Sequence, residues 1–216
     1  VTALVNHEIT RGSRDHMNIA IIGSTDLSRT LAWRLRAAGH DVVVAVGGNR
    51  AAAAELAAAA GVRDADVEEA LASANVVLLA MPFQQLFALP ADLFRDKIII
   101  DAMDYYRNTD DLVDELDDDA VTSAELVARH LPGARVVKIS AGMTLLALGA
   151  VGVMADDLEP VPVPLAGDDE SAKAVVSNLL VDLGVQPVDV GSLADSRMMQ
   201  PGSIARALMA GKVPWS

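Results

Sequence analysis

Between residues 18 and 48 the chain is punctuated as strand, tight turn, helix, turn, strand. The mainly apolar run Asn18-Ile19-Ala20-Ile21-Ile22 stops at Gly23, a helical pattern continues to Ala38, Gly39-His40 breaks it, and Val42 to Val46 is apolar again. A glycine placed directly after a buried strand and ahead of a helix is the layout of a βαβ unit that receives a dinucleotide. In such a unit a pyrophosphate rests on backbone N–H groups at the start of the first helix. The full turn pattern is G-x-G-x-x-G, and here the turn reads Gly23-Ser24-Thr25-Asp26-Leu27-Ser28. Gly23, which makes the tight turn, is in place. Thr25 occupies the position at which the backbone approaches the phosphates, and Ser28 occupies the helix-packing position.

Further apolar runs at 75–80, 97–101, 135–140, 161–166 and 185–190 alternate with helical segments. Runs this continuous are buried on both faces, which predicts an α/β fold with a doubly wound, mostly parallel Rossmann sheet and a C-terminal βαβ or helical extension. Ala51 to Ala60 is expected to be the second helix, ended by Gly61. Asp168 is the expected N-cap of a helix running to about Leu183. The uncharged stretch Ile139 to Ala155 contains Gly142, Gly149 and Gly152 and reads as a buried strand and loop rather than a membrane span. Residues 1–16 show no period and no apolar centre, so they are expected to be a disordered upstream extension, with Met17 as the natural start. Residues 17–216 read as one NAD(P)-binding Rossmann-like domain with its C-terminal extension.

A formal charge of −13 and the absence of any basic stripe argue against nucleic acid as a partner. The chain has no cysteine, which removes disulfides, zinc-thiolate sites and thiol catalysis and accords with a cytoplasmic setting. The acidic run Asp110 to Asp119 lacks the loop order of a calcium site and reads as a solvated face. The histidines at 7, 16, 40 and 130 share no metal-ligand spacing, and no G-x-S-x-G motif is present. No catalytic side chain and no metal ligand is therefore assigned. A reaction whose reactive atoms belong to bound cofactors requires only a shaped, dry slot.

In a doubly wound sheet the strand ending Ala80-Met81-Pro82-Phe83 faces the same crevice as the Gly23 turn, close to where a nicotinamide would lie; a plain strand-to-helix turn is the alternative. Asp101-Ala102-Met103-Asp104 follows the next strand, where its aspartates either orient a ligand or cap backbone groups. After the second strand the chain reads Ala45-Val46-Gly47-Gly48-Asn49-Arg50. The absence of an acid there weighs against NAD. Arg50 is either a partner for the 2′-phosphate of NADP or an ordinary exposed arginine opening a helix. Met198, Met199 and Met209 flank Pro201 and belong either to a partner surface or to the core.

Taken in order, Ile19-Ala20-Ile21-Ile22-Gly23, Ala37-Ala38-Gly39-His40-Asp41-Val42, Ala80-Met81-Pro82-Phe83, Ile99-Ile100-Asp101-Ala102, Ser123-Ala124-Glu125-Leu126, Leu131-Pro132-Gly133-Ala134-Arg135-Val136-Val137-Lys138, Ala166-Gly167-Asp168-Asp169-Glu170 and Asp189-Val190-Gly191-Ser192-Leu193 resemble the NADP oxidoreductases that depend on coenzyme F420. The resemblance implies hydride transfer between NADP(H) and the deazaflavin, in a homodimer paired through C-terminal helices. It places the NADP phosphates at Ser24, Thr25, Asp26 and Leu27, the 2′-phosphate at Gly47, Asn49 and Arg50, and the nicotinamide at Ala80, Met81, Pro82 and Phe83. Coenzyme F420 is placed at Asp101, Met103, Asp104, Ser140, Ala141, Gly142 and Met143. The chain departs from that family at the two lost glycines, at Val46-Gly47, at Met103-Asp104-Tyr105 and at Lys138-Ile139-Ser140-Ala141-Gly142. These departures leave two other readings: a diverged, non-catalytic homologue with weakened cofactor binding, or an enzyme acting on a small biosynthetic intermediate with Tyr105, Tyr106 or Lys138 as proton donor.

Overall fold

In a computed structural model, which describes residues 16–106, 113, 116, 120–151, 161–201 and 203, the apolar runs become one eight-stranded sheet. The strands are β1 (Asn18–Ile22), β2 (Asp41–Ala45), β3 (Arg63–Asp64), β4 (Val76–Leu79), β5 (Ile98–Asp101), β6 (Arg135–Ile139), β7 (Pro162–Gly167) and β8 (Gln186–Asp189). Their spatial order is β3-β2-β1-β4-β5-β6-β7-β8. Strand β1 lies inside the sheet, paired in parallel with β2 on one side and β4 on the other. The pairing stays parallel out to β6 and reverses once, where β7 runs antiparallel to β6 with Lys138 opposite Ala166. The pair β7 and β8 is parallel again, so the C-terminal βαβ unit extends the sheet in the opposite sense.

Burial on both faces explains the unbroken apolar runs. Ile19 and Ile21 point into one core with Leu31, Leu35 and Leu56, whereas Ala20 and Ile22 point into the other with Leu71, Phe83 and Phe94. Helices α1 (Asp26–Ala37), α2 (Arg50–Ala60) and α6 (Glu170–Asp182) cover the first face, and α3 (Val67–Ser73) and α4 (Ser123–His130) the second. Helix α1 presents Leu27, Leu31 and Leu35 to the sheet at intervals of one turn. Helix α2 ends as expected at Gly61, which adopts a left-handed φ of 68°. The short 3₁₀ segments Phe83–Ala88, Ala91–Phe94 and Ala194–Met199 complete the described elements.

Two expectations are corrected, and the alternative left open for Met199 is decided. Beyond Ile139 the uncharged stretch forms helix α5 (Ala141–Ala150), not a loop. Ser140 caps it, and its glycines at 142 and 149 lie at exposed positions where they do not interrupt the buried side at Thr144, Ala147 and Leu148. No helix among the described residues is long and apolar enough to cross a membrane. The cap of α6 is Asp169, whose carboxylate accepts from the Ala172 amide at 3.0 Å; Asp168 instead accepts from the amide of Leu193 at 2.9 Å. Met199 is buried and serves the core. Residues 1–15, nearly all of the acidic run and Met209 lie outside the described residues.

Candidate functional site

The carboxyl ends of β1 and β4 meet at Gly23. With φ at 126°, a Cβ on Gly23 would stand 2.1 Å from the carbonyl oxygen of Ala80, so only glycine lets the turn lie against the end of β4. The Gly23 amide donates to Ala45 O at 2.9 Å, tying the same turn to β2. Thr25 and Ser28 then form a reciprocal capping box at the start of α1. The Ser28 amide donates to Thr25 Oγ1 and the Thr25 amide to Ser28 Oγ, each at 3.2 Å. Both hydroxyls also reach Ala80 O, at 3.1 and 2.9 Å.

The two side chains that replace glycines thus do specific work in the fold. They bolt the helix start to β4 and occupy one of the helix amides that an anion would otherwise engage. Among the described residues, the amides of Asp26 and Leu27 have no protein acceptor, and these are the donors left for a phosphate. The exposed Asp26 carboxylate sits beside them, 3.7 Å from Arg29 Nη1.

Next to the turn, the loops after β2, β3 and β4 enclose a cleft of about 510 Å³, with Val46 to Arg50 on one wall, Ala65 to Glu68 on another and Met81 to Pro90 on the third. Asn49 is the N-cap of α2, its side chain accepting from the Ala52 amide at 3.0 Å, so its amide oxygen serves the helix. Gly47 and Gly48 leave open space over the cleft. Arg50 does line the cleft, but its Nε is held 2.8 Å from Asp64 Oδ2 on β3. Sequence reasoning missed this acid because β3 is only two residues long and carries no periodic signal.

On the other side of the turn the predicted residues divide into floor and rim. Ala80, Met81 and Phe83 are buried, and Pro82 is exposed. Phe83 packs edge-on against Tyr105, with ring centroids 5.7 Å apart. Asp101 is fully buried opposite Lys138, its register partner on β6. Its Oδ1 accepts from the Met103 amide at 2.9 Å and its Oδ2 lies 3.3 Å from Lys138 Nζ, while Lys138 donates its hydrogen bond to Met103 O. Burial pushes the Asp101 carboxyl above its ordinary range, against the pull of the adjacent ammonium. Asp101, Met103 and Lys138 are therefore buried together beneath the crevice, their polar groups turned on one another at the strand ends. Tyr105 accepts from the Val113 amide through its hydroxyl at 3.2 Å. Of the residues expected around a second ring system, Asp104, Ala141, Gly142 and Met143 reach the surface, whereas Ser140 is buried as the cap of α5.

Residues 18–105 match the family described as NADP oxidoreductase coenzyme F420-dependent. The chain is 31% identical over 199 residues to the metalloreductase STEAP3 of Rattus norvegicus; the match takes in 91% of this chain but spans only 38% of the length of that relative. A solved structure from Arthrobacter sp. FB24, provisionally assigned as an F420-dependent NADP-reductase, shares 24% identity at a TM-score of 0.69, covering 91% of this chain and 96% of that one. A reductive aminase from Aspergillus terreus, solved with NADPH4, cyclohexanone and allyl amine, shares 19% identity at a TM-score of 0.59, covering 90% of this chain and 60% of that one. These last two likenesses establish the fold. The family match covers the segment from β1 through β5, which carries the Gly23 turn and the cleft beside it.

Proposed function

We propose that the protein is an NADP(H)-dependent oxidoreductase whose hydride acceptor is the deazaflavin coenzyme F420. The observation that carries the reading is the crevice at the Gly23 turn, where β1 and β4 part toward helices on opposite faces of the sheet. The residues fit a dinucleotide in outline. Gly23 lets the turn lie against β4, the Asp26 and Leu27 amides are unspent, and the adjoining cleft has a cation in Arg50. When bound, NADPH would supply a hydride to an acceptor that also takes one proton from solvent, so no side chain of this chain is required as a nucleophile. This chain's residues bind and orient. The amides at the start of α1 would hold the pyrophosphate and Arg50 the 2′-phosphate. Ala80, Met81, Pro82 and Phe83 would floor the nicotinamide, and Asp104, Ala141, Gly142 and Met143 would border the acceptor.

The test is loss of reduced-nicotinamide absorbance with purified protein, NADPH and F420. The metalloreductase relative makes a chelated, reducible metal ion the control acceptor. Oxidation of NADPH with F420 but not with the chelate supports the reading, and the reverse replaces the acceptor. The reading also carries a homodimer, for which light scattering at micromolar concentration should give twice the mass of one chain.

A second reading is favoured by the capping box. Thr25 and Ser28 have taken over contacts that a phosphate would make, as expected of a homologue that keeps the fold with weakened cofactor affinity. Failure to bind either NADPH or NADH by calorimetry would establish it.

A further inference from the structure

We propose that Asp64 is a positioning residue that sets nucleotide selectivity by neutralising Arg50. The inference rests on the dinucleotide reading above and extends it to a residue that lies outside the glycine turn and beyond the second strand. Arg50 is the single cation among the residues lining the 510 Å³ cleft, whereas a second wall carries Asp66 and Glu68. Its guanidinium is already engaged by a carboxylate, at 2.8 Å from Nε to Asp64 Oδ2. Asp64 reaches it because β3 pairs in parallel with β2, Asp64 standing opposite Val44, and Arg50 opens α2 at the end of the loop that follows β2.

A 2′-phosphate approaching Arg50 must share the guanidinium with Asp64. Nη1 and Nη2 remain for the phosphate, but a fixed negative charge stands within one residue's reach of a dianion. The ribose 2′-hydroxyl of NADH meets no such repulsion. Asp64 therefore lowers the NADPH preference that Arg50 alone would confer. Because both side chains are partly exposed, the effect is moderate and fades as salt rises.

The experiment is calorimetric titration of NADPH and NADH, at low and moderate ionic strength, into the full chain and the variants Asp64→Asn, Arg50→Ala and Asp64→Asn with Arg50→Ala. Asp64→Asn keeps the shape of the side chain and should tighten NADPH about fivefold to tenfold while changing NADH less than about twofold. In the Arg50→Ala background the same replacement should move the selectivity ratio much less, leaving only the direct repulsion, a dependence that general loss of structure cannot produce. A ratio unchanged by Asp64→Asn, or weaker NADPH binding in that variant, overturns the role of Asp64 and leaves the dinucleotide reading intact. Absence of binding by either nucleotide to the parent and all variants overturns both.

Discussion

The hydroxyl of Ser28 donates to the carbonyl oxygen of Ala80 at 2.9 Å, joining the first turn of α1 to the end of β4 across 52 residues of sequence. In the glycine pattern this position has no side chain, and the helix is free to pack against the strand by backbone alone. Here the contact is a buried hydrogen bond, reinforced by Thr25 through the same carbonyl. The turn thereby gains stability from groups that compete with a bound phosphate.

Replacing Thr25 and Ser28 together by glycine should separate these roles. The variant should lose about 2 kcal/mol of stability, from the bonds to Ala80 and the added backbone freedom. Its affinity for NADPH should rise about tenfold as helix amides are released. Denaturant unfolding and calorimetry on the same preparations read both quantities. Tight binding by the parent, with no gain in the variant, would show that the existing turn already satisfies the phosphates.

Gly23→Ala should be far more damaging than its size suggests. The new methyl would lie 2.1 Å from Ala80 O, at a φ that side chains avoid. A cost of about 3 kcal/mol or more is expected from the clash and the strained backbone together. A thermal midpoint within a degree or two of the parent's would show that the turn and β4 are not pressed together.

The Asp101 and Lys138 pair should behave as a structural unit. Lys138→Met leaves a fully buried carboxylate facing an apolar group and should destabilise by about 3–5 kcal/mol, whereas adding Asp101→Leu should restore much of the loss. A folded Lys138→Met variant of unchanged stability that fails only in turnover would return Lys138 to a role in proton transfer.

Acid sensitivity should trace partly to Asp169. The Arg135 guanidinium beside it, then the Ala172 amide and the Ser171 hydroxyl, hold its carboxyl well below the usual carboxylate range. A carboxyl with a depressed folded value contributes stability that is present above its unfolded value and is lost as pH falls through the folded one. The loss should therefore begin below about pH 4. Asp169→Asn should flatten that part of the pH profile when unfolding is followed between neutral and strongly acid solution. An unchanged slope would assign the acid loss to other groups.

The local pattern of residues was sufficient for every strand but β3, for the parallel centre of the sheet and for the turn at Gly23. Each of these follows from burial on a face or from a backbone angle, and both leave a periodic or single-residue trace in the chain. Helix α5 was misread because its apolar residues run on directly from β6, and length alone does not separate a strand and loop from a buried helix start. The reversal of β7, the bond from Ser28 to Ala80, the pairing of Asp101 with Lys138 and the hold of Asp64 on Arg50 have no such trace. They depend on which strands become neighbours and on how far each extends. A polar side chain takes its role from the group it meets there, and folding brings that group from elsewhere in the chain.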